Sequence, residues 1–326
     1  METMSLARVE EDITRLKVAL SDVYARKNSF SSTFRLPTET LADIFIRCAR
    51  DHYHYYHSHS TWFNVSYVCR HWRNVALNCP TFWSYISMIP RRWMEEMLVR
   101  SKKAPLKIRV RIPYEADDSW NTFKKVMNHA ERIQEFSLHI PRGSSIHLEE
   151  VFSKLSLRAP LLQYLEISVH AIPSKMSFVL FDGHTPALRT LELSDCSVPW
   201  FFLKLSSLTT LSLYGDSVQL HQNMEEFVAT LGCMQDLSHL YLMRVLPGSQ
   251  GLVSGTTFNT SQKINLPRLS RLQIDDSLLP VIAFLSCVKI QKSSWDATAK
   301  MIPPWIITRC SLRFLHKDST RPQAAW

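Results

Sequence analysis

Four histidines fall in one short run, His52, His54, His57 and His59. Imidazole nitrogen binds zinc and other borderline metals, so these residues are the first candidates for chemistry. A structural zinc site ordinarily adds Cys ligands or a fixed helical spacing. This run is interleaved with Tyr53, Tyr55 and Tyr56 and has neither. A solvated loop is the simpler reading, and no metal is expected. The seven cysteines (Cys48, Cys69, Cys79, Cys196, Cys233, Cys287 and Cys310) are odd in number and form no C-x-x-C. Free thiols in a reducing compartment follow more simply than a disulfide framework. Cys69 lies on an apolar helical face, which suits a buried thiol better than a nucleophile. The adjacent acids Asp117-Asp118, Glu149-Glu150 and Asp275-Asp276 would point apart, and read as solvated loop ends.

Motifs for group transfer are missing. The stretch Gly248-Ser249-Gln250-Gly251-Leu252-Val253-Ser254-Gly255 lacks G-x-S-x-G and reads as a turn-rich insertion. No H-E-x-x-H occurs. With only 7 glycines in 326 residues, no phosphate-cradling glycine loop is found either. No catalytic residue and no cofactor are expected, so the chain reads as a non-enzyme.

Charge and hydropathy narrow the partners. The net charge is +9, from 38 basic and 29 acidic residues. Residues 286–326 carry seven Lys/Arg and two Asp/Glu, so more than half of the excess sits in that segment. No basic run exceeds two residues, so a nucleic-acid surface is not expected. The first residues lack an uninterrupted apolar core of a secretory signal, and no apolar stretch approaches the roughly 20 residues of a membrane span. An intracellular protein, cytoplasmic or nuclear, is expected.

The elements that would position any site begin with an amphipathic helix over residues 4–27. Leu6, Val9, Ile13, Leu16, Leu20 and Val23 recur in alternating steps of three and four. That is an a/d heptad stripe. The expectation is that it lies on the body of the same chain; a self-association or partner seam is the alternative. A polar segment, 28–35, then leads to a helix opening at Pro37, with Leu41, Ile44 and Phe45 on one face. A second helix is expected over 61–78, where Val65, Val68, Cys69, Trp72, Val75 and Ala76 form a stripe. The His-rich run would be a loop between the two. Cys79-Pro80 closes the second helix.

From about residue 104 the period changes. A frame L-x-x-L-x-L recurs at Ile133-Phe136-Leu138, Leu162-Leu165-Ile167, Leu188-Leu191-Leu193, Leu208-Leu211-Leu213, Leu237-Leu240-Leu242 and Leu269-Leu272-Ile274. Residues 104–110 read as a further strand in front. Pro160, Pro186 and Pro267 precede three of the frames. Short strands with alternate side chains inward cannot bury their leucines singly, so stacked turns must share one core. The spacing is irregular, and the Asn/Cys ladder position is not consistently filled. The expected fold class is α+β, or an α/β solenoid: a small all-helical module followed by an irregular leucine-rich-repeat domain. The expected divisions are 1–29, 30–90, 91–286 and 287–326. The last, interrupted by Pro303-Pro304, would be a basic cap or tail.

The ordered set Leu36-Pro37-x-Glu39-x-x-x-x-Ile44-Phe45, Val68-Cys69-x-x-Trp72 and Pro80-x-x-Trp83 resembles an F-box. Followed by the leucine frames, residues 10–285 resemble basidiomycete F-box proteins. That resemblance implies a substrate receptor of a Skp–cullin–F-box ubiquitin ligase. The F-box would bind a Skp-type adaptor, and through it a cullin, while the repeats hold a target protein. The implied adaptor-binding residues are Leu36, Pro37, Leu41, Ile44, Phe45, Val68, Cys69 and Trp72. A module of about 50 residues builds a self-sufficient core with difficulty, which suits apolar residues awaiting a partner. A repeat scaffold acting outside ubiquitination is the alternative.

Overall fold

The computed structural model describes residues 2–54, 62–87, 91–111, 118–141, 151, 153–169, 181, 185–195, 205–215, 224–247, 263–289, 295–300 and 309–316. The chain divides into two compact units, Met1–Ala104 and Pro105–Trp326.

The first unit opens with helix α1, Glu2–Ser29, and a 3-10 turn, Ser32–Arg35. The Ser31 side chain accepts from the Thr33 amide and caps that turn. Helix α2 spans Thr38–His54. Pro37 stands just before it, and its carbonyl accepts from Leu41 N at 3.1 Å. Proline thus costs no hydrogen bond there. The helix runs past the expected loop start. Tyr53 is buried and packs edge-on against Tyr85, ring centroids 5.9 Å apart, which favours the extra turn. The rest of the His-rich run, from Tyr55 on, lies outside the described residues.

The helix expected over 61–78 is broken. A 3-10 segment, Trp62–Tyr67, precedes a shorter α3, Arg70–Leu77. Cys69 adopts an extended backbone between them (φ −157°, ψ 169°), and its Sγ accepts from Trp72 N at 3.5 Å. The thiol therefore caps α3 instead of sitting inside a longer helix. A second 3-10 segment, Pro80–Ser84, strand β1 (Tyr85–Ser87) and α4 (Arg91–Arg100) complete the unit. Its core gathers Leu41, Phe45, Trp62, Phe82 and Trp83. Residues 91–104 belong to this unit, not to the repeat region, because Trp93 on α4 stacks on Phe63 at 4.7 Å.

The second unit is built on parallel strands: β2 (Leu106–Arg111), β3 (Ile133–Ile140), β4 (Tyr164–Val169), β5 (Thr190–Ser194), β6 (Thr210–Tyr214) and β7 (His239–Met243). A two-residue strand, β8 (Ile264–Asn265), precedes β9 (Arg271–Ser277). Every frame falls on a strand in matching register. Phe136 aligns with Leu165, Leu191, Leu211, Leu240 and Leu272 in turn. Leu138 aligns likewise with Ile167, Leu193, Leu213, Leu242 and Ile274. Residues i and i+2 share a sheet face, so the two rows form one apolar surface, and all twelve are buried. Helices Asp118–Met127, Met224–Gly232 and Leu278–Cys287 supply partners, for example Phe123 to Phe136.

The turns before the strands follow from sequence. The first leucine of a frame donates its amide three residues back: Leu162 to Ala159, Leu188 to Thr185 and Leu269 to Leu266. Pro160, Pro186 and Pro267 occupy the second position of these turns, where the fixed proline φ is favoured. The amides of Gln163, Arg189, Thr209, Ser238 and Ser270 each donate to the equivalent residue of the preceding frame. Thr209, Ser238 and Ser270 add a hydroxyl bond to the same carbonyl, at 3.0, 2.9 and 3.0 Å. Small hydroxyl residues thus form a ladder at the position just after the first leucine of these frames.

Part of the C-terminal segment joins the sheet. The short strand β10 (Val288–Lys289) pairs in parallel with β8. Strand β12 (Arg309–His316) pairs antiparallel with β9, placing Leu312 opposite Ile274 and Phe314 opposite Leu272. Strand β11 (Trp295–Lys300) pairs antiparallel with β12. Strands β12 and β11 thus extend the edge of the sheet beyond β9.

Candidate protein-interaction site

The eight residues expected to meet a partner separate into an inner and an outer group. Leu41 and Phe45 are fully buried and belong to the core. They lie four apart on the inner face of α2, and Phe45 packs on Trp72 (5.2 Å) and Phe82 (5.9 Å). In the chain alone these two side chains hold α2 in place. Ile44 is 41% exposed, because one residue on a helix turns the side chain through about 100°. Val68 is 59% exposed, since the extended backbone before α3 turns it outward. Pro37 is exposed and Leu36 half-buried. Cys69 and Trp72 are half-buried: the first caps α3, the second bridges to Phe45.

The scaffold beneath is rigidly specified. Trp83 is fully buried, and its indole nitrogen donates to the Ala76 carbonyl at 2.7 Å, tying the second 3-10 segment to α3. The Arg100 guanidinium lies over the Trp83 ring, 4.5 Å from its centroid. Asp22 on α1 pairs with Arg70 at 2.8 Å. A cleft of about 710 Å³ lies between α1 and the start of α3, lined in part by Leu20, Tyr24, Phe34 and Val68. Phe34 and Tyr67 are exposed aromatics that sequence reasoning missed; their positions just outside the helices hid them.

The start of α2 and the approach to α3 together present an apolar edge, the kind of surface that suits binding to protein. A family model described as F-box-like matches residues 33–89. All eight residues fall within it, and this F-box-like domain takes in the elements from the first 3-10 turn to β1. No curated protein and no solved structure matches the chain.

Elsewhere, the pairing of Asp275 and Asp276 as solvated ends is corrected. Asp276 is buried; its Oδ2 accepts from Leu246 N at 2.9 Å and its Oδ1 from Ser277 N at 2.7 Å. Among the described residues no group of three His, Cys, Asp or Glu could hold a metal ion, and no helix is long and apolar enough to cross a membrane.

On the polar face of the sheet, Ser137 Oγ donates to Glu166 Oε2 at 2.7 Å, and Tyr164 donates to the same oxygen at 3.2 Å. Glu192 is aligned with Glu166 on the next strand. Burial, and then the neighbouring Glu166 charge, raise the Glu192 carboxyl above its ordinary range; a hydrogen bond with Tyr164 partly opposes them.

Proposed function

We propose that this chain is the substrate-recognition subunit of a Skp–cullin–F-box type ubiquitin ligase of the basidiomycete kind, working in the cytoplasm or nucleus. The F-box-like match over residues 33–89 carries the reading. The exposed Ile44 and Val68, with Leu36 and Pro37 beside them, supply the apolar anchors that interface centres use. They are the adaptor-facing residues of this proposal; Leu41, Phe45 and Trp72 act through packing, and Cys69 through its cap.

The six in-register leucine frames are read as degenerate leucine-rich repeats forming a solenoid that holds the target protein. Its polar strand face presents Glu166, Glu192, Tyr241 and His239, side chains suited to hydrogen bonding with a protein ligand. The chain itself makes and breaks no bond. It places the target near a ubiquitin-charged enzyme, and the rate gain is one of proximity.

Affinity purification of the wild type, against a Leu36→Ala/Pro37→Ala double variant, tests this. A Skp-type adaptor and a cullin are expected with the wild type and lost with the variant. Proteins retained by both are target candidates. Absence of adaptor from the wild type would leave a repeat scaffold outside ubiquitination.

A further inference from the structure

Helix α1 carries its a/d stripe uncovered. Leu6, Ile13 and Leu20 occupy a positions, and Val9, Leu16 and Val23 occupy d positions. All six are exposed, between 44% and 68%. The expectation that this stripe lies on the body of the chain is therefore corrected. The helix meets the rest of its unit beside the stripe: Asp22, which pairs with Arg70, is a c position, and the cleft is lined by Ser21 and Asn28 at b, Lys17 and Tyr24 at e, and Leu20 at the border of the stripe. All six apolar a and d side chains nonetheless stay exposed to solvent.

We propose that the occupant of this seam is α1 of a second copy of the same chain, in a parallel two-stranded coiled coil. Charge selects the partner. In a parallel pair, a g residue faces the e′ residue five positions later on the other helix. Asp12 is at g and Lys17 at e, so each Asp12 meets the Lys17 of the other copy, twice by symmetry. The remaining g–e′ combinations, Ser5 with Glu10 and Ala19 with Tyr24, bring no like charges together. Asp12 makes an exposed pair with Arg15 at 3.3 Å, which costs little to give up. The central layers, Ile13 at a and Leu16 at d, are the combination that favours two strands; the flanking layers, Leu at a with Val at d, do not add to that preference. Lys27 falls at the next a position and ends the seam by repulsion. This inference does not depend on the adaptor reading.

The test is sedimentation equilibrium of the full chain. The wild type is expected to reach twice the 37.8 kDa chain mass, and Ile13→Asp/Leu16→Asp to stay at 37.8 kDa. Both positions are exposed, so an unchanged circular dichroism spectrum verifies that the variant is folded. Lys17→Asp should raise the dissociation constant at least about tenfold. The exchange Asp12→Lys/Lys17→Asp should restore it. A wild type monomeric up to about 100 μM would overturn the proposal. So would a dimer that survives Ile13→Asp/Leu16→Asp, or a charge exchange as weak as Lys17→Asp alone.

Discussion

Phe45 on α2 and Trp72 on α3 pack with ring centroids 5.2 Å apart, and that contact decides which way their neighbours face. With Phe45 fixed inward, Ile44 must point out. With Trp72 fixed on Phe45, and Cys69 capping α3, Val68 stands at the outer edge. The outer edge proposed to meet the adaptor is thus set by the core beneath it.

Stability and recognition should therefore separate by mutation. Phe45→Ala empties a fully buried site and should cost about 3–5 kcal/mol. Ile44→Asp and Val68→Asp change exposed positions and should leave the denaturation midpoint nearly unmoved. Urea unfolding of the three variants, followed by Trp fluorescence, measures the difference.

Trp83→Phe keeps an aromatic ring, smaller than the indole, but removes the donor to Ala76. A loss of about 1–2 kcal/mol is expected, from a buried carbonyl left without its partner. Thermal unfolding of this variant beside Trp83→Ala, which should lose about 3–5 kcal/mol, separates the hydrogen bond from the packing.

Asp276→Ala should destabilise the second unit by about 1–3 kcal/mol, because it strands the Leu246 amide. Hydrogen exchange at Leu246 should accelerate in this variant. Unaltered protection there would show that the carboxylate is dispensable.

Gly215 has φ +141°, and a Cβ there would come within 2.9 Å of the Asp195 backbone. Gly215→Ala should cost about 1–3 kcal/mol in denaturant unfolding, through backbone strain and that approach. An alanine variant as stable as wild type would contradict it.

Two groups on the polar sheet face give opposite pH dependences. Glu192 titrates above its ordinary value in the fold, so its neutral form is favoured. Stability falls as pH rises from about 4.5 through the folded value. Burial first, and then Arg271, push His239 below 6.5, so stability is lost as pH falls from 6.5 through its folded value. Glu192→Gln should therefore gain more stability over wild type at neutral pH than near pH 4.5. A pH-independent difference between the two would remove the burial argument.

The strands of the second unit were legible because a two-residue period sets which face each leucine takes, and six frames repeat it. The break at Cys69 was not. Val65, Val68 and Trp72 keep helical spacing whether or not the helix is continuous, so periodicity is blind to an extended residue in between. The outward direction of Ile44 follows from the same i, i+3, i+4 pattern that buries Leu41 and Phe45, yet the pattern alone does not say which of the three is left outside. Asp276 looked solvated because nothing local shows that its partner is the amide of Leu246, thirty residues earlier. The ladder of Thr209, Ser238 and Ser270 hydroxyls has a sequence signal, a small hydroxyl residue recurring directly after the first leucine of three frames.

The central claim is that the outer edge of the F-box-like domain binds a Skp-type adaptor. Isothermal titration of a purified Skp-type adaptor into the full chain tests it most directly. The account predicts a one-to-one complex with the wild type and at least about a hundredfold weaker binding with folded Ile44→Asp/Val68→Asp. Equal affinity of the two proteins, or no heat of binding with the wild type, would contradict it.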